Sequence, residues 1–320
     1  MLLFWPEFTG NRTTLKSVRD GFPVSSSLST SAPLSDQSAL YNAVAEASAS
    51  VVIRRYSTSF GLASKLLDAR IRQDVENIYG LVRLADEIVD GVAAEAGLSK
   101  AAISRSLLDL EVETNRAVEV GYSTNLIVHA FALTARRTGI TRELTQPFFE
   151  SMRMDITKQL HNQDSFEKYV YGSAEVVGLM CLCSFLAETD LTSDQEERFV
   201  MGARALGAAF QKVNFLRDLS ADVDSLGRSY FPDIVVAKLT EEQKQALVAD
   251  IDADLAVSAA IVPDLPAGSR RAVAAAQNLF AALNHRIAAT PATELKQTRV
   301  SVPNTTKALI FLKAWMGILT

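Results

Sequence analysis

Two segments of the chain each carry a pair of aspartates four residues apart, close to an arginine. The residues concerned are Arg83, Asp86 and Asp90 in the first segment, and Asn214, Arg217, Asp218 and Asp222 in the second. Residues three, four and seven apart share one face of a helix, so each segment directs its carboxylates and its arginine at one place. Apolar residues flank both segments, and carboxylates that face inward from an apolar helix are costly unless they are paired or bind a metal.

Two such helices facing each other would form a set of oxygen ligands of the kind that Mg²⁺ prefers. Magnesium commonly joins carboxylates to substrate phosphates, and Arg83 and Arg217 could add charge-assisted hydrogen bonds to phosphate oxygens. The alternative is that each aspartate pair lies on a solvated face, or forms an ion pair with its own arginine. Because the pattern occurs twice, we predict a magnesium site that holds a diphosphate, with Mn²⁺ as a second candidate ion.

Three other segments carry weaker signals. A glycine turn at Gly227 leads to Arg228 and Tyr230, which could fold over a bound phosphate or belong to an ordinary surface loop. The hydroxyl-rich residues 56–60 suit a helix N-terminus that attracts an anion, or simple capping. Small residues within 169–178 would let a helix approach its neighbour closely, or leave room along a pocket for a long chain.

Helices must position these residues, because long stretches rich in alanine and leucine contain no helix breaker. We find no convincing strand alternation, so the predicted fold is all-α, a single large helical bundle. Residues 1–35 are rich in Ser, Thr, Gly and Pro and are predicted to be a flexible N-terminal arm, which leaves 36–320 as one domain. The predicted helices are 38–54, 58–66, 71–91, 99–119, 124–137, 142–160, 166–187, 193–219, 241–260, 267–289 and 304–317.

Composition excludes several classes of protein. The formal charge of −5 argues against nucleic acid as a partner. Cys181 and Cys183 lie in an apolar run and point apart on a helix, which favours core residues of a reduced cytosolic protein over a disulfide or zinc site. The histidines, His129, His161 and His285, share no ligand spacing and are expected to be surface or hydrogen-bonded residues. No stretch reaches the roughly 20 apolar residues of a membrane span, and we expect a soluble protein without a signal peptide.

The chain resembles the squalene/phytoene synthase family, the head-to-head trans-prenyltransferases, and within it looks closest to the bacterial phytoene synthases. The resemblance runs from about residue 41 to 303 and implies an all-α fold of the isoprenoid synthase type with a central cavity. There two allylic diphosphates bind with Mg²⁺, condense through a cyclopropyl diphosphate and rearrange to a linear product. Four ordered blocks carry the resemblance: YSTSF (56–60), YGLVRLADEIVD (79–90), YVYGSAEVVG (169–178) and NFLRDLSADVDSLGRSYFP (214–232).

The resemblance also implies roles for individual residues. Catalytic roles would fall to Tyr79, Arg83, Asp86, Asp90, Asp218 and Asp222. The metal ligands would be Asp86, Asp90, Asn214, Asp218 and Asp222. The substrate would be bound by Ser59, Phe60, Arg83, Tyr169, Asn214, Arg217, Arg228 and Tyr230.

Two positions depart from the family pattern. Ala221 stands where many members have an acidic residue, which could change the number or affinity of the metal ions. Glu175 stands where many members have glycine, which puts an unexplained charge near the pocket. Neither departure removes an aspartate of the two pairs.

We expect phytoene formation from two geranylgeranyl diphosphates, an early step of carotenoid biosynthesis. The rival hypotheses are a C15-using squalene or dehydrosqualene synthase and a non-catalytic family member that serves as an assembly or lipid-binding scaffold. A reductive squalene synthase of the eukaryotic type is less expected, because we expect no C-terminal membrane anchor. A cytoplasmic location is predicted, with peripheral contact on the inner face of the membrane as an option. Residues 307–315 could lie in a bilayer interface or form the last packed helix.

Overall fold

Helices form almost all of the regular structure in this computed structural model. It describes residues 35–157, 161–219, 231–232 and 234–319. The side chains of residues 58–60 and 237 are not described. No strand occurs among these residues, so the all-α prediction is confirmed. Residues 1–34, most of the predicted arm, lie outside the described part. The α-helices are α1 (Asp36–Tyr56), α2 (Thr58–Ala63), α3 (Ala69–Val89), α4 (Val92–Glu95), α5 (Lys100–Val120), α6 (Leu126–Thr138), α7 (Arg142–Thr157), α8 (Gln163–Val170), α9 (Val176–Leu186), α10 (Ser193–Arg217), α11 (Glu241–Ala259), α12 (Ala267–Ala289), α13 (Ala292–Leu295) and α14 (Asn304–Trp315).

Local signals in the sequence account for where several of these helices begin and end. The hydroxyl of Thr192 accepts a hydrogen bond from the backbone N–H of Gln195 at 3.3 Å, and the Gln195 side chain accepts one from the Thr192 backbone, a capping box that starts α10. Thr240 starts α11 in the same way. Helices α5 and α6 end at Gly121 and Gly139, whose φ angles of 80° and 78° lie in the left-handed region that favours glycine.

The helix predicted over 166–187 starts earlier and is not uniform. It begins at α8, and its middle, Tyr171–Glu175, is a π-helical turn that joins α8 to α9. The whole run Gln163–Leu186 is long and apolar enough to cross a membrane by length and composition alone. However, 56% of its apolar window is buried inside the bundle, as expected for a core helix.

Two glycines allow neighbouring helices to approach the π-helical turn closely. A Cβ atom at Gly172, within the turn, would collide with the backbone carbonyl of Pro147 in α7. A Cβ atom at Gly207 in α10 would lie 2.6 Å from the carbonyl oxygen of Ala174. The close approach predicted from the small residues of this segment is therefore observed, and it holds α7 and α10 against the turn.

The helices that carry the aspartate pairs are fixed by two apolar clusters. Leu216 of α10 packs in a cluster with Ile251 of α11 and Leu283 of α12. Leu81 of α3 packs in a second cluster, which includes Phe131 of α6. Helix α3 also contacts α1 and α9, and α10 contacts the π-helical turn and α11. Both helices are thus held on several sides, which positions their polar faces.

Candidate active site

The first aspartate segment lies at the C-terminal end of α3. Arg83 forms a salt bridge with Asp86 at 2.7 Å and another with Glu87. The Arg83 guanidinium also lies over the ring of Tyr56, 4.3 Å from its centroid. Burial alone would lower the pKa of Arg83, but the hydrogen bond to Glu87 and the charge of Asp86 raise it, so the guanidinium stays charged. Asp90 ends the helix, and its backbone N–H donates to the carbonyl of Asp86.

The second aspartate segment lies at the C-terminal end of α10. Asp218 follows the last helical residue and forms salt bridges with Arg217 and Arg299. Arg299 Nε donates to Asp218 Oδ1 at 2.7 Å. Burial alone would raise the pKa of Asp218, but both guanidinium groups hold it below the ordinary value, so the carboxylate stays ionised. The local sequence gave no signal for Arg299, because it lies 81 residues away along the chain.

The two segments face one cavity of about 330 Å³. Arg217 pairs with Asp218 but is not among the described residues that line the cavity. The predicted site residues that line it are Tyr79, Arg83, Asp86, Asp90, Tyr169, Asn214 and Asp218. The structure therefore brings these residues of the two aspartate segments to one cavity, while their chemical roles stay predictions.

Five predicted site residues are not tested by this geometry. Ser59 and Phe60 lie in α2, but their side chains are not described. Asp222, Arg228 and Tyr230 lie outside the described residues, as does Ala221. Their roles as a metal ligand and as substrate contacts stay predictions.

Three buried polar atoms on the cavity lining have no hydrogen-bond partner among the described residues. They are Arg83 Nε, Ser173 Oγ and Asn214 Oδ1. A buried polar atom without a partner carries a free-energy cost, which a bound ligand with complementary groups would remove. The amide oxygen of Asn214 suits a hard cation, and the N–H of Arg83 suits a phosphate oxygen.

The described carboxylates do not form a metal cage by themselves. Among these residues, no three histidine, cysteine, aspartate or glutamate side chains lie close enough together to hold a metal ion. Asp86 and Asp218 are each bound to arginine instead. The donors on the two walls still fit a cation that bridges to phosphate, because Mg²⁺ in such sites takes few protein ligands and completes its shell with water and phosphate oxygens.

Tyr169 is held in the cavity wall by a residue that the sequence did not indicate. Its hydroxyl donates to Asp155 Oδ2 at 3.1 Å, and its ring lies 5.1 Å from that of His161. Asp155 is buried on α7 and lines the cavity. No spacing links α7 to the aspartate segments, so only the tertiary structure reveals this residue. Gln211 also lines the cavity, and it could have been predicted from its position one helical turn before Asn214.

A second, apolar cavity of about 320 Å³ adjoins the polar one. Its described lining contains no charged side chain and comes mainly from α3, α9, α10 and α12. The two cavities share Tyr79, Val82, Ser173, Gln211 and Asn214. Together they form a polar mouth that leads into an apolar interior, which suits a molecule with a charged head and a long hydrocarbon chain.

Cys181 lines the apolar cavity, and Cys183 is buried in the core. Burial raises the pKa of each thiol to about 12, so both stay protonated and neutral. Both cysteines are free, as predicted.

Glu175 does not place its charge in either cavity. Arg204 Nε on α10 donates to Glu175 Oε2 at 2.6 Å, and the Arg204 guanidinium lies 5.2 Å from the centroid of the Tyr171 ring. Glu175 is absent from the described lining of both cavities. The charge that the sequence left unexplained is therefore an ion pair between the π-helical turn and α10.

Residues 53–306 match the sequence profile of the family described as squalene/phytoene synthase. The match covers most of the chain. It includes all four blocks, the first of which begins at residue 56 and the last of which ends at 232. The chain belongs to the squalene/phytoene synthase family. The family predicted from the sequence is therefore confirmed.

Curated relatives include bacterial and plant proteins. The 15-cis-phytoene synthase of Enterobacter agglomerans is 27% identical over 251 residues, which cover 72% of this chain and 82% of that protein. The 15-cis-phytoene synthase of Pantoea ananas is 30% identical over 55% of this chain and 56% of that protein. Phytoene synthase 3, chloroplastic, of Zea mays is 31% identical over 57% of this chain and 41% of that protein. The matched region thus spans about half the length of the latter two proteins.

Solved structures of similar fold support the same architecture. A dehydrosqualene synthase in complex with a ligand superposes with a TM-score of 0.70 at 20% identity, covering 87% of this chain and 98% of that one. The squalene synthase HpnC from Alicyclobacillus acidocaldarius gives a TM-score of 0.67 at 18% identity, covering 79% and 97%. At these identities the likeness shows the fold, and it confirms a helical bundle of the isoprenoid synthase type.

Proposed function

We propose that this protein is a prenyltransferase that condenses two geranylgeranyl diphosphates head to head, through a cyclopropyl diphosphate, to phytoene. The reaction is an early step of carotenoid biosynthesis. The observation that carries the proposal is the polar cavity between α3 and α10, joined to an uncharged apolar cavity. An allylic diphosphate has the matching distribution of polarity, a charged head and a hydrocarbon tail. The relatives named phytoene synthase support the choice of substrate.

The charged head of the substrate would bind at the polar mouth. Arg83 and Arg217 would exchange their carboxylate partners for phosphate oxygens, since a guanidinium binds either group through the same donors. The oxygens offered to a divalent cation would come from Asp86, Asp90, Asn214, Asp218 and Asp222. Mg²⁺ bound there, or Mn²⁺ in its place, would supply neutralisation of the charge on the departing diphosphate.

The apolar cavity would protect the reacting carbon chain. Loss of diphosphate leaves an allylic cation, which water would capture if it reached the site. The uncharged lining excludes water, and the rings of Tyr79 and Tyr169 can offset part of the positive charge. Burial raises the pKa of Tyr79, although the charge of Arg83 opposes this, so its hydroxyl stays protonated. Ser59, Phe60, Arg228 and Tyr230 are proposed as further substrate contacts.

The second candidate function is a C15-using dehydrosqualene or squalene synthase, which the fold shared with a dehydrosqualene synthase favours. Incubation of the purified protein with Mg²⁺ and either farnesyl or geranylgeranyl diphosphate distinguishes the two. We expect a C40 hydrocarbon from the C20 substrate. A C30 product formed only from the C15 substrate would establish the second candidate, and no product from either would leave a non-catalytic scaffold.

We place the protein in the cytoplasm, with peripheral contact on the inner face of the membrane. Substrate and product are long hydrocarbons, so exchange with a lipid phase is expected. The net charge of −5 gives no support for nucleic acid binding.

A further inference from the structure

The last helix, α14, has two apolar faces. One face packs on the bundle through Phe311 and Ala314, whose exposures are 9% and 1%. The opposite face carries Leu309, Leu312 and Met316, spaced three and four residues apart, with exposures of 53%, 50% and 53%. A packed last helix accounts for the first face and leaves the second without a partner among the described residues.

A basic and an aromatic residue lie beside this outward face. Lys313, next to Leu312, forms no salt bridge with any described residue, and the Trp315 side chain is 66% exposed. Residues 296–319 contain four lysines and arginines and no aspartate or glutamate, in a chain whose net charge is −5. Lysine and tryptophan beside an aliphatic stripe are typical of helices that lie in the interface of a bilayer.

The helix also lies against the outer side of the apolar cavity. Phe311 packs in one cluster with Ala63 of α2 and Ala275 of α12. Ala63 lines the apolar cavity itself, and so does Ala276 of α12. Beside them on α2, Leu62 is 41% exposed. The outward face is therefore separated from the apolar cavity by α14 itself and by the layer of side chains that includes Phe311 and Ala63.

We propose that the outer face of α14, formed by Leu309, Leu312, Trp315 and Met316, docks on an anionic lipid bilayer. Lys313, in a stretch (296–319) that contains no acidic residue, complements acidic headgroups, whereas a pair of identical faces would bring like charges together. Docking would bring the wall of the apolar cavity to within about one helix diameter, roughly 10 Å, of the membrane surface, and so shorten the path of a hydrocarbon product into the lipid. This last step rests on the proposed function, but the docking itself does not.

Co-sedimentation of the full chain with vesicles tests the proposal. The probes are phosphatidylcholine vesicles with and without phosphatidylglycerol. Removing three aliphatic anchors with the triple variant Leu309→Ser/Leu312→Ser/Met316→Ser should reduce partitioning about tenfold or more. The matched control changes three exposed apolar residues of α5, as Leu108→Ser/Val112→Ser/Val120→Ser, and should bind like the wild type. Circular dichroism checks that each variant is folded.

The charge contribution is tested separately. Lys313→Ser should weaken binding to the vesicles with phosphatidylglycerol and leave the weaker binding to phosphatidylcholine unchanged. Equal binding by the triple variant and its control, or no binding of the wild type, would overturn the proposal. So would a wild-type dimer in light scattering that the triple variant abolishes, since the partner would then be a second copy of the chain. No substrate is present in these measurements, so failure of the prenyltransferase assay would not affect them.

Discussion

The substitution Asp218→Asn tests most sharply whether the two aspartate helices form one diphosphate site. It keeps the shape of the side chain and removes one negative charge from the wall formed by α10. Removing one preorganised electrostatic contact at a reacting centre typically costs about 10²- to 10³-fold in turnover, or roughly 3–4 kcal/mol. We expect a loss of kcat/KM in this range.

The effect of the same substitution on folding should be much smaller. Asp218 binds Arg217, which is 24% exposed, and Arg299, which is 66% exposed. Ion pairs as exposed as that with Arg299 contribute roughly 0.5 kcal/mol, so the two pairs together contribute about 1 kcal/mol to the free energy of unfolding. The loss of transition-state stabilisation should therefore exceed the loss of folding stability about threefold.

Two measurements compare these quantities: steady-state release of diphosphate from the C20 substrate, and urea unfolding followed by circular dichroism. Asp264→Asn is the matched control. Asp264 forms a salt bridge of 2.7 Å with Arg198, both side chains are about half exposed, and neither residue lines either cavity. The control should retain wild-type kcat/KM. Normal turnover in Asp218→Asn, or equal losses in both variants, would refute the shared site.

Four further predictions concern stability and the unpartnered hydroxyl. Gly207→Ala should destabilise the protein by about 1–3 kcal/mol, because the new Cβ would lie 2.6 Å from the Ala174 carbonyl oxygen. In Gly61→Ala the new Cβ would lie 3.7 Å from the carbonyl oxygen of Ile53, so a stabilisation of up to about 1 kcal/mol is expected. The urea midpoints of the two variants test both expectations. The pKa of Asp218 is lowered in the folded state, so its stabilising effect should be full above about pH 5 and disappear as the pH falls below about 4. Urea unfolding measures the free energy of unfolding of the wild type and of Asp218→Asn across this pH range. A difference between them that does not change with pH would contradict the prediction. Ser173→Ala should leave the unfolding free energy unchanged within about 0.5 kcal/mol and raise the KM for the diphosphate, whereas an unchanged KM would remove Ser173 from the site.

Most of the fold could be predicted from the sequence, because local signals set the helices. The helix predicted over 193–219 is observed as α10, since Thr192 and Gln195 cap its start. The π-helical turn Tyr171–Glu175 could not be predicted, because the extra residue in one turn leaves the apolar pattern on either side helical. It forms where Gly172 and Gly207 let neighbouring backbones approach, which is a property of the assembled bundle.

Spacing along the chain predicted site residues only where they share one helix, and Tyr169 on α8 was instead predicted from the family resemblance. Asp86 and Asp218 could be placed because spacing along a helix fixes a common face with Arg83 or Asn214. Arg299 lies outside such a pattern, and no local rule joins a residue near α13 to the end of α10.

The sequence left two interpretations of the aspartate pairs open, a set of metal ligands or ion pairs with their own arginines, and the structure makes them compatible. Asp86 binds Arg83 and Asp218 binds Arg217, so one carboxylate on each wall is already paired with an arginine without a ligand. A divalent cation alone would have to displace guanidinium groups and leave them in the cavity beside it. If a diphosphate binds together with the cation, the arginines would bind the diphosphate and the carboxylates would bind the cation. We therefore expect Mg²⁺ to bind at least about tenfold more tightly in the presence of an unreactive diphosphate analogue, a coupling of roughly 1.4 kcal/mol or more. Isothermal titration with and without the analogue measures it, and tight binding of Mg²⁺ to the protein alone would contradict the exchange.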